Sequence, residues 1–218
     1  MAGYLLLDWI FLLRAPSVCA LPASRDMCRP PPRVSGYEPT GSAHGLEEEL
    51  VTFVIPTKRR LTLTRTLRSL RRQTDPGWLA IVVCDGCDES VHAVVEREVL
   101  GDRRVSVIRS GQKLGTGTNS AGLVRNVGID RVTTPWVAFV DDDDTVTANY
   151  VLYLRTDVQR HTGVKAVIFR MLTRDDVILP PAHHDTFMAT CVGISFALDM
   201  EFLRSNRLWF VPSNVEVR

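Results

Sequence analysis

Four consecutive carboxylates, Asp141-Asp142-Asp143-Asp144, follow directly on the apolar run Trp136-Val-Ala-Phe-Val140. Like charges packed this closely repel one another unless something positive joins them. Carboxylates with no thiol or imidazole among them suit a hard divalent cation, Mg²⁺ or Mn²⁺. Mg²⁺ typically takes one or two protein carboxylates and fills its shell with water and a substrate phosphate. The run therefore reads as a metal–diphosphate site at a strand end. A plainer reading competes with it: the aspartates would cap and lead into a helix starting at Thr145, where the helix dipole favours acidic side chains.

Other stretches offer weaker chemistry. Cys84-x-x-Cys87 at a strand end has the spacing of a thiol redox pair, or is two semi-buried cysteines in a loop. A zinc site would need two more ligands, and the sequence has no second CxxC. His183-His184-Asp185 offers a metal ligand or a polar surface turn. Gly115-Thr-Gly-Thr-Asn119 has neither the lysine of a P-loop nor a G-x-G-x-x-G frame. Lys58 and Arg59 fall at a strand-to-helix turn, where phosphates collect. The later arginines of that segment, Arg65, Arg68, Arg71 and Arg72, read as a solvated face.

The elements that must position these residues alternate in kind. Val51–Ile55 reads as a first strand stopped by Pro56, and Leu63, Leu67 and Leu70 give a helix over 57–74 one apolar stripe. Strands are expected at 79–83, 105–108 and 136–140, with helices over 90–100 and 120–132. Beyond a helix ending near His161, further strands are expected at 164–169, 192–197 and 208–211, with a short helix over 199–205. In open α/β sheets, ligands bind at the C-terminal edge of the strands, which is where the aspartates fall. The alternation implies right-handed crossovers and a mainly parallel sheet with helices on both faces, an α/β fold.

The chain has 218 residues, 45% hydrophobic and 23% charged, with a formal net charge of +1. That allows one domain and a tail, and gives no argument for nucleic acid as a partner. No apolar run approaches the length of a transmembrane helix. The five cysteines are an odd count spread over the chain, which is not a disulfide framework. Residues 1–48 differ from the rest. An apolar stretch from Tyr4 to Leu13 precedes a small-residue sequence, Ser17-Val-Cys-Ala20, yet lacks the leading basic residues of a signal peptide. A Pro- and Ser-rich linker follows, with Arg29-Pro-Pro-Pro-Arg33 as a polyproline-like segment. A cytoplasmic location is expected, or the secretory pathway if residues 1–20 act as a signal.

Taken in order, three segments carry a resemblance to family 2 glycosyltransferases, which have the GT-A fold. They are Val51-Thr-Phe-Val-Ile-Pro-Thr57, Val82-Val-Cys-Asp-Gly-Cys-Asp88, and Gly115…Ala121…Arg125-Asn126…Gly128 running into Phe139-Val140-Asp-Asp-Asp-Asp144. Residues 51 to about 154 are similar to the family's nucleotide-sugar half. The resemblance implies that Pro56, Thr57 and Lys58 line a base and ribose pocket, and that Asp85 accepts from a base N–H. It places Arg125 near the base or diphosphate. It makes Asp141 and Asp143 the metal-binding pair of a DXD motif, with Asp142 beside them. The implied reaction is inverting: an acceptor hydroxyl attacks the anomeric carbon of a nucleotide-diphosphate sugar, a UDP-sugar first, helped by Mn²⁺ or Mg²⁺. The acceptor would be a glycan, a lipid or a small molecule.

This sequence departs from the family pattern at two places. Cys84 and Cys87 stand where the family's loop usually has an acid and a serine. The acidic motif that supplies the family's base is not evident near the C-terminus, where Glu216 is a weak candidate. A truncated domain that binds nucleotide sugar without turnover is thus the alternative reading, and a CxxC thiol oxidoreductase a distant third.

Overall fold

Three neighbouring strands alternate their side chains between two cores. In Val51–Thr57 (β2), Val51, Phe53 and Ile55 face one core and Val54 the other. Trp78–Cys84 (β3) and Trp136–Phe139 (β5) divide in the same way. This is the two-residue period of a strand covered on both faces, which is why these segments read as nearly unbroken apolar runs. The computed structural model describes residues 5–14, 48–58, 61–87, 101–111, 113–115, 120–173, 175–181 and 195–210, with isolated positions 89, 93 and 97.

The nine-stranded sheet has the order β4-β3-β2-β5-β9-β7-β1-β6, with β8 paired to β7. Here β1 is Leu5–Arg14, β4 Val105–Arg109, β6 Thr145–Val146, β7 Val164–Leu172, β8 Ile178–Leu179 and β9 Phe196–Asp199. Strands β4, β3, β2 and β5 are parallel, whereas β9 joins β5 antiparallel and β7 joins β9 antiparallel. The sheet is therefore mixed, with its parallel block where the three motif segments lie. The parallel order reverses at β2, with β3 and β4 on one side and β5 on the other. The crevice at the carboxyl ends of such strands is the usual ligand site of an open α/β sheet.

Helices cover both faces. Leu63–Arg71 (α1) buries Leu63, Leu67 and Leu70 as its spacing predicts, together with Thr66. Tyr150–Arg160 (α3) packs Tyr150, Val151 and Leu154 into the same core. On the other face lie Ser120–Ile129 (α2) and Met200–Ser205 (α4), through Val124, Ile129, Met200 and Leu203. Helix α2 sits unusually close to the sheet at Gly128, where a Cβ would meet Val54 Cγ1 at 2.4 Å. Burying an aliphatic side chain of this size contributes roughly 1.5–3 kcal/mol, so each stripe stabilises its helix more than intrinsic propensity does.

Several expectations are corrected. Strand β2 does not stop at Pro56 but runs to Thr57, paired with β3 as far as Cys84. Along a strand the backbone groups point alternately to the two neighbours. Thr57 accepts from Asp85 N on the β3 side, so the nitrogen of Pro56 faces the β5 side, where pairing has ended at Val54–Phe139. Proline is tolerated there because no ladder bond is lost. The segment after the aspartates is not a helix from Thr145: β6 comes first, and α3 begins at Tyr150 with Asn149 as its N-cap. The strand expected at 192–197 is described as Phe196–Asp199, and residues 192–194 lie outside the described residues. Leu208–Phe210 is not a strand; the Asn126 side chain takes the place of a strand partner, donating to Phe210 O (2.8 Å) and accepting from Phe210 N (3.0 Å). Leu5–Arg14, within the apolar N-terminal stretch, forms a strand between β7 and β6. Most of the helix expected over 90–100, the proline-rich linker and His183-His184-Asp185 lie outside the described residues.

One ion pair joins the starts of two strands to α3. Arg155 Nε and Nη2 donate to Asp75 at 2.5 and 3.0 Å, Arg155 Nη2 also reaches Glu48 O at 3.3 Å, and Asp75 accepts from Gly77 N at 2.8 Å. Burial works against the Asp75 charge, but the hydrogen bonds from Arg155 and Gly77 and the charge of Arg155 together hold its carboxyl below the ordinary 3.8. A depressed native-state value means that this contribution is complete above the unfolded value and is lost as pH falls through the native one. Asp75→Asn is expected to cost on the order of 2 kcal/mol, between a surface and a fully buried pair. Urea unfolding at pH 7 should show that loss. The difference between variant and parent should shrink as pH falls below 3.8; a difference independent of pH would show that the charge is not what stabilises.

Candidate functional site

The carboxyl ends of β2, β3 and β5 bring separate parts of the sequence to one cleft of about 150 Å³, lined by Pro56, Thr57, Lys58, Asp85, Ala121, Val124, Asp141, Asp142 and Asp143. Of the residues expected in the site, all the described ones except Arg125 are thus on its wall. Pro56 and Thr57 end β2, Asp85 follows β3, and the aspartates follow β5 by one residue.

The aspartates form a turn, not a helix cap. Asp144 N donates to Asp141 O at 3.0 Å, closing a β-turn with Asp142 and Asp143 at its centre. Helix α1 fastens this turn from beneath: Arg65 Nη2 donates to Asp143 O, and Thr66 Oγ1 donates to Asp144 O at 2.7 Å. Thr66 is completely buried within the leucine stripe, and its hydroxyl also lies 3.4 Å from Asp141 O, so it faces both carbonyls that bracket the turn. With the backbone carbonyls held from below, Asp141, Asp142 and Asp143 are left on the wall of the cleft.

Each charge is partly offset. Thr57 Oγ1 donates to Asp142 Oδ2 at 2.6 Å, a buried bond across two parallel strands. Arg125 Nη2 donates to Asp141 Oδ1 at 2.6 Å; its side chain is 6% exposed and its Nε has no hydrogen-bond partner. Arg125 therefore stands behind Asp141 as a buried counter-charge, with its guanidinium 5.5 Å from the centre of the Phe210 ring. Arg125 thus reaches the site through Asp141 and is not on the cleft wall.

Asp85 organises the opposite wall. Its Oδ1 accepts from Leu114 N at 2.7 Å and its Oδ2 from Gly115 N at 3.0 Å, so the carboxylate ties the 113–115 loop to the end of β3. Lys58 Nζ spans the gap, donating to Gly115 O at 3.2 Å and lying 3.9 Å from Asp85 Oδ2. A Cβ on Gly115 would fall 2.4 Å from Asp85 Oδ2 and 2.6 Å from Lys58 Nζ, so only glycine allows this approach.

The other chemical candidates separate from the cleft. Cys84 is fully buried in the α1-side core and Cys87 packs against that core. Asp199 is committed as the N-cap of α4, accepting from Phe202 N at 2.7 Å, and pairs with Lys165 at 2.9 Å. Glu216 lies outside the described residues. Among the described residues, no group of three or more His, Cys, Asp or Glu side chains is arranged to hold a metal by itself. The hard oxygen donors of Asp141 and Asp143 still fit Mg²⁺ or Mn²⁺ where substrate and water complete the shell. Sequence reasoning missed Arg65 and Thr66 as the supports of the turn. The available signal was a hydroxyl set in a leucine stripe.

The family description "Glycosyl transferase family 2" matches residues 52–211. The chain belongs to glycosyltransferase family 2. It is 30% identical over 106 residues to the putative glycosyltransferase EpsH of Bacillus subtilis (strain 168), a match that covers 48% of this chain and 29% of EpsH. Solved structures show the same GT-A fold. S. aureus TarS 1–349 superposes with a TM-score of 0.58 at 16% identity, over 77% of this chain and 52% of that one. The mannosyltransferase PcManGT from Pyrobaculum calidifontis, in complex with GDP-Man and Mn²⁺, gives a TM-score of 0.54 at 15% identity, over 78% and 49%. This family 2 chain therefore spans about half the length of those structures and less of EpsH. No helix among the described residues is long and apolar enough to cross a membrane.

Gly115→Ala is expected to push the 113–115 loop off Asp85. Overpacking of this kind costs about 1–3 kcal/mol. Amide exchange should quicken at Leu114 and at residue 115, whose N–H groups bind Asp85; unchanged exchange would show that the loop absorbs the methyl group.

Proposed function

We propose that this chain carries the donor half of an inverting glycosyltransferase that moves a sugar from a nucleotide-diphosphate sugar to an acceptor hydroxyl. The observation that carries the reading is the convergence of Pro56, Thr57, Lys58, Asp85 and Asp141–Asp143 on one cleft at the reversal point of the sheet. The chemistry of that wall suits such a donor. Pro56 and Thr57 offer a flat, half-apolar face for a base and ribose. Asp85, already bound by two backbone N–H groups, keeps lone pairs for a base N–H. Lys58 brings a positive charge to the mouth of the cleft. UDP and UDP-GlcNAc occur in complexes of TarS 1–349, and GDP-Man in that of PcManGT, so UDP-sugars and then GDP-sugars are the donors to try.

Asp141 and Asp143 would hold Mn²⁺ or Mg²⁺. Such an ion supplies Lewis-acid stabilisation of the charge that develops on the departing diphosphate. The buried Arg125 fixes the orientation of Asp141 through their 2.6 Å bond, and Thr57 does the same for Asp142. The acceptor hydroxyl attacks the anomeric carbon from the face opposite the diphosphate and loses its proton to a base, which inverts the centre.

One observation favours a second reading. Among the described residues lining the cleft, every carboxylate belongs to Asp85 or to the aspartate run, and the first is tied to a loop. A domain that binds the donor without turning it over would look the same.

Thermal melting with UDP, GDP and their sugars, with and without Mn²⁺, tests the proposal. Saturation at about 100 times Kd stabilises the folded state by roughly 2.7 kcal/mol, a shift of several degrees. Asp143→Asn should abolish the Mn²⁺-dependent part and leave the melting point without ligand within a few degrees of the parent. A full shift in that variant would remove Asp143 from the site. Release of free nucleotide from the bound sugar nucleotide separates a transferase from a binding domain.

A further inference from the structure

The arginines at α1 are exposed, as expected, and three of them also share a groove. Arg65, Arg68 and Arg72 make one wall of a second, larger groove of about 510 Å³, and Thr145, Val146 and Ala148 make the other. The three arginines follow i, i+3, i+7 spacing, which stacks them along one stripe of the helix. Among the described residues no carboxylate lines this groove. Helix α1 contains no acid, and Arg71, on a different face, is the arginine that pairs with Asp102, at 3.5 Å. Among the described residues neither Arg68 nor Arg72 has an ion-pair partner.

The groove is held rigidly and borders the donor cleft. Ser69 Oγ accepts from Val146 N at 3.1 Å, and Gln73 donates to Thr147 O at 2.6 Å while accepting from Val151 N at 3.0 Å, so the two walls are locked together. Arg65 belongs to both places, because it lines the groove and also donates to the carbonyl of Asp143. The aspartate turn is thus the partition between the two. Its carboxylates face the cleft, and the helix stripe beneath it is cationic.

The geometry points to an anion-binding groove that takes an extended, phosphate-bearing chain, and to that chain as the acceptor. Three like charges on one wall are unfavourable when empty and gain from a polyanion that displaces their counterions. The stripe runs for roughly 10 Å along the helix, at 1.5 Å per residue, which is long for a single phosphate and suits two linked ones. Guanidinium groups are well matched to phosphate oxygens, which they bind in pairs. The anion site stands on the arginines alone, whereas its assignment to the acceptor rests on the transferase reading above.

The test is calorimetric titration of the full chain with linear inorganic polyphosphate, in EDTA to keep metal out of the donor cleft. The chain should bind, more weakly as salt rises. Arg68→Gln/Arg72→Gln should weaken binding at least tenfold, and Arg72→Gln alone by a smaller factor. Both variants should keep the parent's melting point and its Mn²⁺-dependent shift with UDP. Equal binding by parent and double variant, no binding by the parent, or competition by UDP would overturn the groove. So would retention on anionic lipid vesicles without affinity for the soluble chain. Polyphosphate binding that depends on Arg68 and Arg72 in a chain that ignores every nucleotide would uphold the groove and remove the acceptor from it.

Discussion

Four negative charges in a row at the end of a buried strand must be held in place, and most of this site follows from how that is done. The restraint comes from three directions. Helix α1 binds the carbonyls of the turn through Arg65 and Thr66. Strand β2 donates the Thr57 hydroxyl to Asp142, and α2 sets the Arg125 guanidinium against Asp141. None of these partners is near the aspartates in sequence. The turn can therefore form only once β2, α1, α2 and β5 have assembled, so the site depends on the fold being complete around it. The carbonyl bonds of Arg65 and Thr66 serve the backbone, while Arg125 and the Thr57 hydroxyl act on the carboxylates themselves.

The scaffold beneath is rigid because the parallel strands are covered on both faces. Positions one residue apart on β2, β3 and β5 belong to different cores, so a one-residue slip would exchange the two faces of a strand. That fixes the heights at which Thr57, Asp85 and Asp141 emerge. The close seat of α2 on β2 at Gly128 extends this control to Arg125, one turn earlier on the same helix. Tyr150, stacked on Phe169 at 3.7 Å and tilted against Phe53 at 5.3 Å, joins the parallel block to β7 in the same way.

Much of this was legible in the sequence, and the parts that were not share a cause. Unbroken apolar runs gave β2, β3 and β5, and the leucine spacing gave α1, because local periodicity dictates those elements. The cleft residues were legible as three short segments in order, since each ends a parallel strand. The helix expected straight after the aspartates failed: the turn is satisfied by α1, a long-range partner, so no helix is needed to receive it, and Thr145–Val146 pairs as a strand instead. Over Leu208–Phe210 the expected strand is absent for a similar reason, since at Phe210 a side-chain amide does the work of a neighbouring strand. The arginines of α1 are exposed, as their sequence suggests; that Thr145 and Val146 of β6 stand opposite them was not legible, because that wall comes from a distant part of the chain.

Arg125 and Asn126 are adjacent, yet they answer to different parts of the chain. The first holds Asp141; the second grips the backbone of Phe210, and the Phe210 ring lies against the Arg125 guanidinium. One dipeptide on α2 is thus a junction between the cleft and the segment that leads out of the sheet. A displacement of that segment has a short mechanical path to the first aspartate, through a ring, a guanidinium and one hydrogen bond. Asp141 and the backbone at Phe210 therefore cannot be moved independently, because neighbouring residues of one rigid helix hold them both.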